Sequence, residues 1–135
     1  MITYKLEQNI DREQVMALYD SVGWIAYTQE PERLSLAIEQ SLTVISAWQG
    51  NQLIGLIRAV GDGQTILYIQ DLLVMPEFQN QKIGTALMNQ LLAMYPDVRQ
   101  KVLLTNDAPD VRHFYEKAGF VSCDSGDTVA FFRAY

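Results

Sequence analysis

Length, composition and charge restrict the protein to a few classes. The 135 residues are 49% hydrophobic and 19% charged, which predicts one globular domain over residues 1–135. The net charge of −6 argues against a nucleic-acid partner, because nucleic-acid surfaces use Lys and Arg to neutralise phosphates. No apolar run reaches the roughly 20 residues of a membrane-spanning helix, and the N-terminus lacks a signal-peptide pattern. We therefore expect a cytoplasmic protein without a membrane partner.

In the first half, the sequence predicts one strand, two helices and a strand pair. "ITYKL" is typical of an opening strand. The spacing of Asp11 and Gln14 predicts a helix start by a capping box, with the helix ending near Gly23. A second helix is expected to start around Pro31, after the aromatic loop "WIAYTQE". The runs "TVISAW" and "QLIGLIRAV" flank Gly-Asn, which predicts a hairpin.

The second half predicts a β-loop-α-β unit. "TILYIQDLLV" is expected to be the third consecutive antiparallel strand, followed by a helix over 83–95 and a strand over 101–105. The strands flanking that helix should be parallel, with a right-handed crossover. "PDVRHFYEKA" predicts a last helix, and "FVSC" and "TVAFF" a terminal strand pair. The order β, α, α, β, β, β, α, β, α, β, β indicates an α/β (α+β) fold.

The loop "FQNQK" leads directly into helix 83–95 at the C-terminal edge of a sheet. Backbone N–H groups in a first helical turn have no partner within the helix and carry the positive end of its dipole. They form a natural receptor for phosphate oxygens. A solvated polar loop is the equal alternative, in which Gly84 serves only close packing.

The only cysteine and the only histidine are expected to have no catalytic role. Cys123 cannot form an intramolecular disulfide and has no Cys or His cluster around it, so we expect a small buried apolar side chain and no metal site. His113 lies two positions before Tyr115 on a predicted helix, which turns it towards the opposite face. We expect it to be exposed.

Two motifs in this order resemble the GNAT N-acetyltransferase superfamily over essentially the whole chain. "LLVMPEFQNQKIGTALM" resembles the family's phosphate motif, Gln/Arg-x-x-Gly-x-Gly/Ala, at Gln79, Lys82 and Gly84, with lysine in place of the first glycine. "FYEKAGF" follows one β-α unit later, at the spacing that the family implies. The resemblance implies a GNAT-like mixed, mostly antiparallel central sheet with a splayed parallel pair and about four flanking helices.

The resemblance also implies acetyl-CoA as co-substrate. The strand backbone at Leu72, Leu73 and Val74 would pair with the pantetheine arm, and strands splayed near Pro76 would open a slot for the thioester. An interior strand is the alternative for the same segment. The pyrophosphate would bind mainly to backbone N–H groups of the loop and first helical turn: Gln79, Asn80, Gln81, Lys82, Ile83, Gly84 and Thr85.

Lys82 departs from the family pattern. Glycine is needed in a tight phosphate loop either because φ is positive or because a Cβ would collide with the ligand. We predict a negative φ at Lys82, which makes lysine harmless there, and retained CoA binding. Its side chain could then add a positive charge near the phosphate oxygens.

The end of the following strand offers one more candidate contact. Asn106 is a cofactor contact in the sharper interpretation. In the simpler one, Asn106 and Asp107 cap the helix that begins near Pro109.

The resemblance implies direct transfer of an acetyl group to a primary amine of a small molecule or peptide. It makes Tyr115 the proton donor to the leaving thiolate, with a half-buried packing tyrosine as the alternative. Asp71 interrupts an apolar strand and is the candidate base, directly or through water; it could equally cap a turn or pair with a basic side chain. Trp24 and Tyr27 lie in the loop that would cover the thioester end. They are candidate acceptor-binding residues or a hydrophobic staple between helices.

A second class of function uses the same fold. The alternative is a non-catalytic acyl-CoA-binding sensor or protein-interaction module, which predicts CoA affinity without turnover. The apolar run "TVAFFRAY" predicts a homodimer if it forms an edge strand. A covered strand is the competing interpretation.

Overall fold

The computed structural model describes residues 1–134 and divides the chain into two compact units. The N-terminal unit is Met1–Leu104, and the C-terminal unit begins at Thr105. The strands of the N-terminal unit are β1 (Ile2–Leu6), β2 (Thr43–Gln49), β3 (Gln52–Gly61), β4 (Ile66–Val74) and β5 (Gln100–Leu103). Its helices are α1 (Arg12–Ser21), α2 (Ile25–Thr28), α3 (Pro31–Glu39) and α4 (Ile83–Met94). The C-terminal unit contains α5 (Pro109–Lys117) and a 3-10 turn at Cys123–Ser125.

The five strands form one sheet in the order β1-β2-β3-β4-β5. The first three pairings are antiparallel and β4 pairs with β5 in parallel. The predicted hairpin and the predicted β-loop-α-β unit are both confirmed, and so is the mixed, mostly antiparallel sheet. Almost every side chain of β2 and β3 is buried, so helices cover both faces of the sheet.

The close packing of α4 against the sheet depends on Gly55 of β3. A Cβ at this position would lie 3.4 Å from both Ile83 Cγ2 and Leu87 Cδ1 of the helix, and 3.3 Å from the Leu73 carbonyl oxygen. Glycine therefore lets the first turns of α4 approach the backbone of β3 and β4. This contact sets the distance between the N-terminus of α4 and strand β4.

The predicted helix boundaries are confirmed where a local side chain or backbone constraint determines them. Asp11 is the N-cap of α1, and its carboxylate accepts a hydrogen bond from the Gln14 N–H at 3.3 Å. Gly23 follows the helix with φ +78°, a conformation that favours glycine. Pro31 is the first residue of α3.

Two elements differ from the sequence prediction. The aromatic loop contains the short helix α2. The predicted strand pair "FVSC" and "TVAFF" is wrong for the part of the chain that the structure describes, because a 3-10 turn at Cys123–Ser125 occupies the middle of the segment. Asp124 accepts hydrogen bonds from the Ser122 hydroxyl and the Arg112 guanidinium, and such local bonds compete with strand pairing.

The prediction of a buried Cys123 is also wrong. The thiol is exposed within the C-terminal unit, in the 3-10 turn at Cys123–Ser125. The homodimer stays a prediction, but its proposed edge strand does not form over residues 128–134, and Tyr135 lies outside the described residues. The exposure expected for His113 is confirmed.

Candidate functional site

Strand β4 continues beyond its parallel neighbour. Its pairing with β5 runs from Ile66 opposite Gln100 to Ile69 opposite Leu103, whereas its pairing with β3 continues to Val74. Within the N-terminal unit, residues 71–74 therefore have a strand partner on one side only. They include the three residues assigned to the pantetheine arm, and the splay of the parallel pair near Pro76 stays a prediction.

A β-bulge interrupts β4 directly after its last pair with β5. Arg58 of β3 pairs with Asp71, but the next residue, Ala59, pairs with Ile69, so Gln70 is an extra residue on β4. A bulge of one residue reverses which face of the sheet the following side chains occupy. Asp71 therefore lies on the same face as Arg58.

That face is the one covered by α1 and α2. Arg58 is three residues from Gly55 along β3 and thus on the opposite face from α4. There Asp71 accepts hydrogen bonds from Tyr19 of α1 at 2.9 Å and from Tyr27 of α2 at 2.8 Å. If Gln70 were paired opposite Arg58 in a regular ladder, Asp71 would lie opposite Ile57 and point towards α4.

The Arg58–Asp71 ion pair is buried, with its two side chains 6% and 2% exposed. The Arg58 Nε donates to Asp71 Oδ2 at 2.7 Å, and its Nη1 donates to the Ser41 hydroxyl at 3.3 Å. Tyr19 also donates to Oδ2 and Tyr27 donates to Oδ1, so both carboxylate oxygens of Asp71 have donors. Of the three alternatives for Asp71, the structure shows pairing with a basic side chain.

Three aromatic rings surround this pair on the helix side. Tyr19 lies 5.1 Å from Tyr27 and 6.0 Å from Trp24 between ring centroids, both in edge-to-face geometry. Burial, followed by the Asp71 charge, raises the pKa of Tyr19 well above its ordinary value and also raises the pKa of Tyr27. Both phenols are therefore protonated donors at neutral pH. The contact of Tyr19 with Trp24 and Tyr27 matches the predicted staple between helices.

The loop between β4 and α4 has an unusual backbone. Asn80 and Lys82 have φ values of +65° and +64° and are the non-glycine residues with positive φ among residues 1–134. The predicted negative φ at Lys82 is wrong. Lys82 is the N-cap of α4 in the left-handed region, the conformation for which glycine is the usual residue. Lysine therefore retains the backbone conformation that suits glycine and bears the strain of its Cβ.

The first turn of α4 carries free backbone donors. Within the described residues, no side chain caps the N-terminus of α4 at Lys82, and a lysine side chain has no acceptor atom to offer. The N–H groups of Ile83, Gly84 and Thr85 precede the first intrahelical bond, which Ala86 makes to the Lys82 carbonyl at 3.0 Å. They form the positive end of a helix of 12 residues.

Gln79 fixes the beginning of this loop. Its side-chain amide donates to the Val74 carbonyl at 3.0 Å, which ties the loop to the end of β4. The side chain of Gln79 is therefore used within the protein. Gln81, like Asn80 and Lys82, is exposed.

Tyr115 lies in the C-terminal unit, on α5. Its ring is half-buried and packs edge-to-face against Phe114 and Phe120, with centroids 5.0 and 6.0 Å away. Burial raises the pKa of Tyr115, against a lowering effect of the Thr105 hydrogen bond. The phenol is consequently protonated at neutral pH, as a proton donor to a thiolate must be.

The predicted helix cap at Asn106 and Asp107 is wrong. The N-cap of α5 is Ala108, without a side-chain cap bond in the described structure. The Asp107 carboxylate instead accepts from the Arg112 Nε at 2.6 Å. Asn106 is exposed and its assignment to the cofactor stays a prediction.

The comparison with known families decides the membership of the chain. The model described as the acetyltransferase (GNAT) domain matches residues 7–133. The chain belongs to the GNAT acetyltransferase family. A GNAT family protein from Streptococcus pneumoniae TIGR4, SP0256, has 34% identity and a TM-score of 0.89, over 100% of this chain and 98% of that one.

Two relatives by sequence carry acetyltransferase names. One is the "Uncharacterized N-acetyltransferase ycf52" of Porphyra purpurea, 30% identical over 123 residues, which are 88% of this chain and 70% of the relative. The other is the "Histone acetyltransferase TAP1" of Glycine max, 30% identical over 132 residues, covering 87% of this chain and 55% of the relative.

Arg58 and Tyr19 both donate to Asp71, although the sequence did not single them out as its partners. Arg58 is the one charged residue in "QLIGLIRAV", and Asp71 is the one charged residue in the next predicted strand. Lone opposite charges in adjacent antiparallel strands were the available indication of a cross-strand pair.

In the described part of the chain, no three Cys, His, Asp or Glu side chains group to hold a metal ion. No helix within residues 1–134 is long and apolar enough to cross a membrane.

Proposed function

We propose that this GNAT protein transfers the acetyl group of acetyl-CoA directly to a primary amine of a small molecule or peptide, in the cytoplasm. Family membership makes it an acetyltransferase in general terms. The observation that supports acetyl-CoA is the open half of β4 beside the uncapped N-terminus of α4. The edge of β4 offers peptide groups without a strand partner, and the N-terminus of α4 offers free amide donors.

The pantetheine arm is an extended chain with two amides, and extended chains bind open strand edges by main-chain hydrogen bonds. The proposed partners are the backbone groups of Leu72, Leu73 and Val74, whose opposite edge already pairs with β3. Gly55 keeps α4 close to this strand. One ligand could thus bind the strand with its arm and the helix N-terminus with its pyrophosphate.

The proposed pyrophosphate site uses backbone rather than side-chain donors. The N–H groups of Ile83, Gly84 and Thr85 are the core of the site, because they lie at the positive end of the helix dipole. The left-handed conformation of Lys82 supports the proposal, since it preserves the loop geometry of a glycine. Its ammonium group adds a positive charge near the phosphates.

The proposed reaction is a direct displacement. The neutral amine nitrogen attacks the thioester carbonyl carbon, the C–S bond breaks, and the Tyr115 phenol gives its proton to the thiolate of CoA. The amine nitrogen loses a proton to solvent, and solvent returns one to the phenolate. A positioned acid of this kind contributes on the order of 10² to 10⁴ in rate.

A direct proton transfer to Asp71 would have to compete with three donors. Arg58, Tyr19 and Tyr27 already bind its two oxygens, so a substrate ammonium would need to displace one of them. We therefore propose a role for Asp71 in positioning rather than as the base.

The test is release of free thiol from acetyl-CoA in the presence of amine panels: amino acids, polyamines, arylalkylamines, aminoglycosides and lysine-containing peptides. We expect one panel to give turnover above hydrolysis, with the acetylated amine found by mass spectrometry. CoA binding is measured in parallel by calorimetry. Tight CoA binding without turnover on any panel would refute the enzyme and support the acyl-CoA-binding module. Absence of CoA binding would refute both.

A further inference from the structure

Helix α2 is joined to the sheet by few side-chain hydrogen bonds. It has four residues, too few to be stable alone, and each of them is exposed or half-buried. Its side-chain hydrogen bonds to the sheet come from the Tyr27 hydroxyl, which donates to Asp71 at 2.8 Å and accepts from Gln70 at 3.2 Å. Among the described residues, Tyr27 therefore makes every side-chain hydrogen bond between α2 and the sheet.

The carboxylate that binds Tyr27 is itself held by Arg58. A buried ion pair is an expensive way to stabilise a sheet, since apolar residues of similar volume often do as well or better. Apolar residues, however, could not bind a hydroxyl. The pair provides a fixed acceptor at the bulge of β4, just beyond the last residue that pairs with β5.

We propose that Arg58, Asp71 and Tyr27 are positioning residues that hold α2, with Trp24 at its start, against β4 and thereby form the amine-binding side of the site. This inference rests on the proposed acetyl transfer for its kinetic consequence only. The attachment of α2 by Tyr27 can be tested without any substrate. In this proposal the Arg58–Asp71 pair positions α2 and does not move a proton.

Trp24 reports the position of α2 directly, because it is the N-cap of this helix and its ring lies 6.2 Å from Tyr27. The protein has two tryptophans, so Trp48→Phe makes Trp24 the single reporter. In that background, Tyr27→Phe should raise acrylamide quenching of Trp24. Loss of a hydrogen bond to a charged group makes the detached state about tenfold more populated.

Tyr19→Phe is the matched control. It removes a hydroxyl from the same carboxylate, but that hydroxyl belongs to α1, where Tyr19 is fully buried. We expect Trp24 quenching in this variant to stay close to that of the parent. Equal increases in the two variants, or no increase in either, would overturn the attachment of α2 by Tyr27.

The double variant Arg58→Met/Asp71→Leu removes both charges together and avoids an unpaired buried charge. It should remain folded by circular dichroism and show the same raised quenching as Tyr27→Phe. If it does not fold, the comparison of Tyr27→Phe with Tyr19→Phe decides the attachment of α2 by itself. A folded variant with parental quenching would show that the pair does not position α2.

Kinetics test the second half of the proposal. In Tyr27→Phe the KM for the amine should rise about tenfold, while the KM for acetyl-CoA changes less than twofold and the pH profile keeps its shape. A normal amine KM with a lowered kcat and a lost basic limb would refute positioning and identify a proton-transfer role. If the parent has no activity, the acetyl-transfer proposal fails, whereas the quenching result still decides how α2 is held.

Discussion

Replacement of Lys82 by glycine is expected to stabilise the protein, although it removes a side chain. Lys82 has φ +64° at the start of α4 and is exposed. An L residue with a Cβ is strained in this conformation by about 1–2 kcal/mol. Glycine removes the strain, so the perturbation acts on backbone energy with little effect on packing.

The magnitude follows from two opposing effects. Glycine relieves the backbone strain, which stabilises the folded state. It also gives the unfolded chain more conformational freedom, which costs about 0.4–1 kcal/mol of stability. The free energy of unfolding should therefore rise by about 0.5–1 kcal/mol, which for a protein of this size shifts Tm upward by about 2–4 °C. Lys82→Ala keeps the strain and removes the charge, and it should change stability by less than about 0.5 kcal/mol.

Thermal unfolding of the parent, Lys82→Gly and Lys82→Ala provides the assay. Asn80→Gly is the matched control within the same loop, at φ +65°. Asparagine tolerates the left-handed region better than lysine, so its replacement should gain less. CoA affinity is measured by calorimetry at low and high salt. Lys82→Gly and Lys82→Ala should both lose up to about fivefold at low salt, the worth of one exposed charge interaction, and converge with the parent at high salt.

Two results would refute this reasoning. A Lys82→Gly protein that is less stable than Lys82→Ala would mean that Lys82 does not adopt a positive φ in solution. CoA binding that is lost in Lys82→Gly but retained in Lys82→Ala would mean that the loop binds through stiffness rather than through its amide geometry.

The remaining predictions concern the acid, a tight turn and pH. Tyr115→Phe should lower kcat at least about tenfold with CoA affinity nearly unchanged. Normal turnover in this variant would mean that Tyr115 serves packing only. Gly61→Ala should cost about 1–3 kcal/mol, because φ is +135° and a Cβ would lie 2.4 Å from the Ile66 carbonyl oxygen. Gly50→Ala, with positive φ but open space around it, should cost less; an equal loss in urea unfolding would remove the steric argument. Asp62 accepts hydrogen bonds from three backbone N–H groups, which together with a nearby hydroxyl lower its pKa. The ionised carboxylate therefore stabilises the fold above the unfolded pKa of about 4, and this stabilisation is lost as pH falls through the folded pKa. The Tm difference between the parent and Asp62→Asn should therefore shrink below about pH 4; a constant difference would contradict it.

Local patterns predicted the parts of the fold that depend on local chemistry. The Asp11 cap, the Gly-Asn hairpin and Pro31 at the first turn of α3 each arise from interactions between residues close in sequence. The parallel β4–β5 pair also followed, because a helix between two strands returns the chain to the end of the sheet where the first strand began. The failed strand pair near Cys123 lacked such support, since side chains in the same segment offered competing hydrogen bonds.

The site was less predictable, because it depends on register and strain. A sequence gives no sign that β4 contains an extra residue at Gln70, and without that knowledge the partner of Asp71 cannot be chosen. A negative φ at Lys82 was predicted because residues with a Cβ prefer it, but the backbone at the helix start adopts a positive φ. The cofactor and acid assignments came from the family resemblance and stay predictions.

The bulge in β4 has a consequence for how this chain can evolve. Ile69 lies opposite Ala59 and Asp71 lies opposite Arg58, so deletion of Gln70 would leave consecutive residues of β4 opposite consecutive residues of β3. The ladder would become regular, and Asp71 would keep its place beside Arg58. Deletion of Leu72 would instead exchange the faces of the residues on one side of it. Among descendants of this chain, loss of one residue from β4 should therefore be tolerated at Gln70 and not at Leu72.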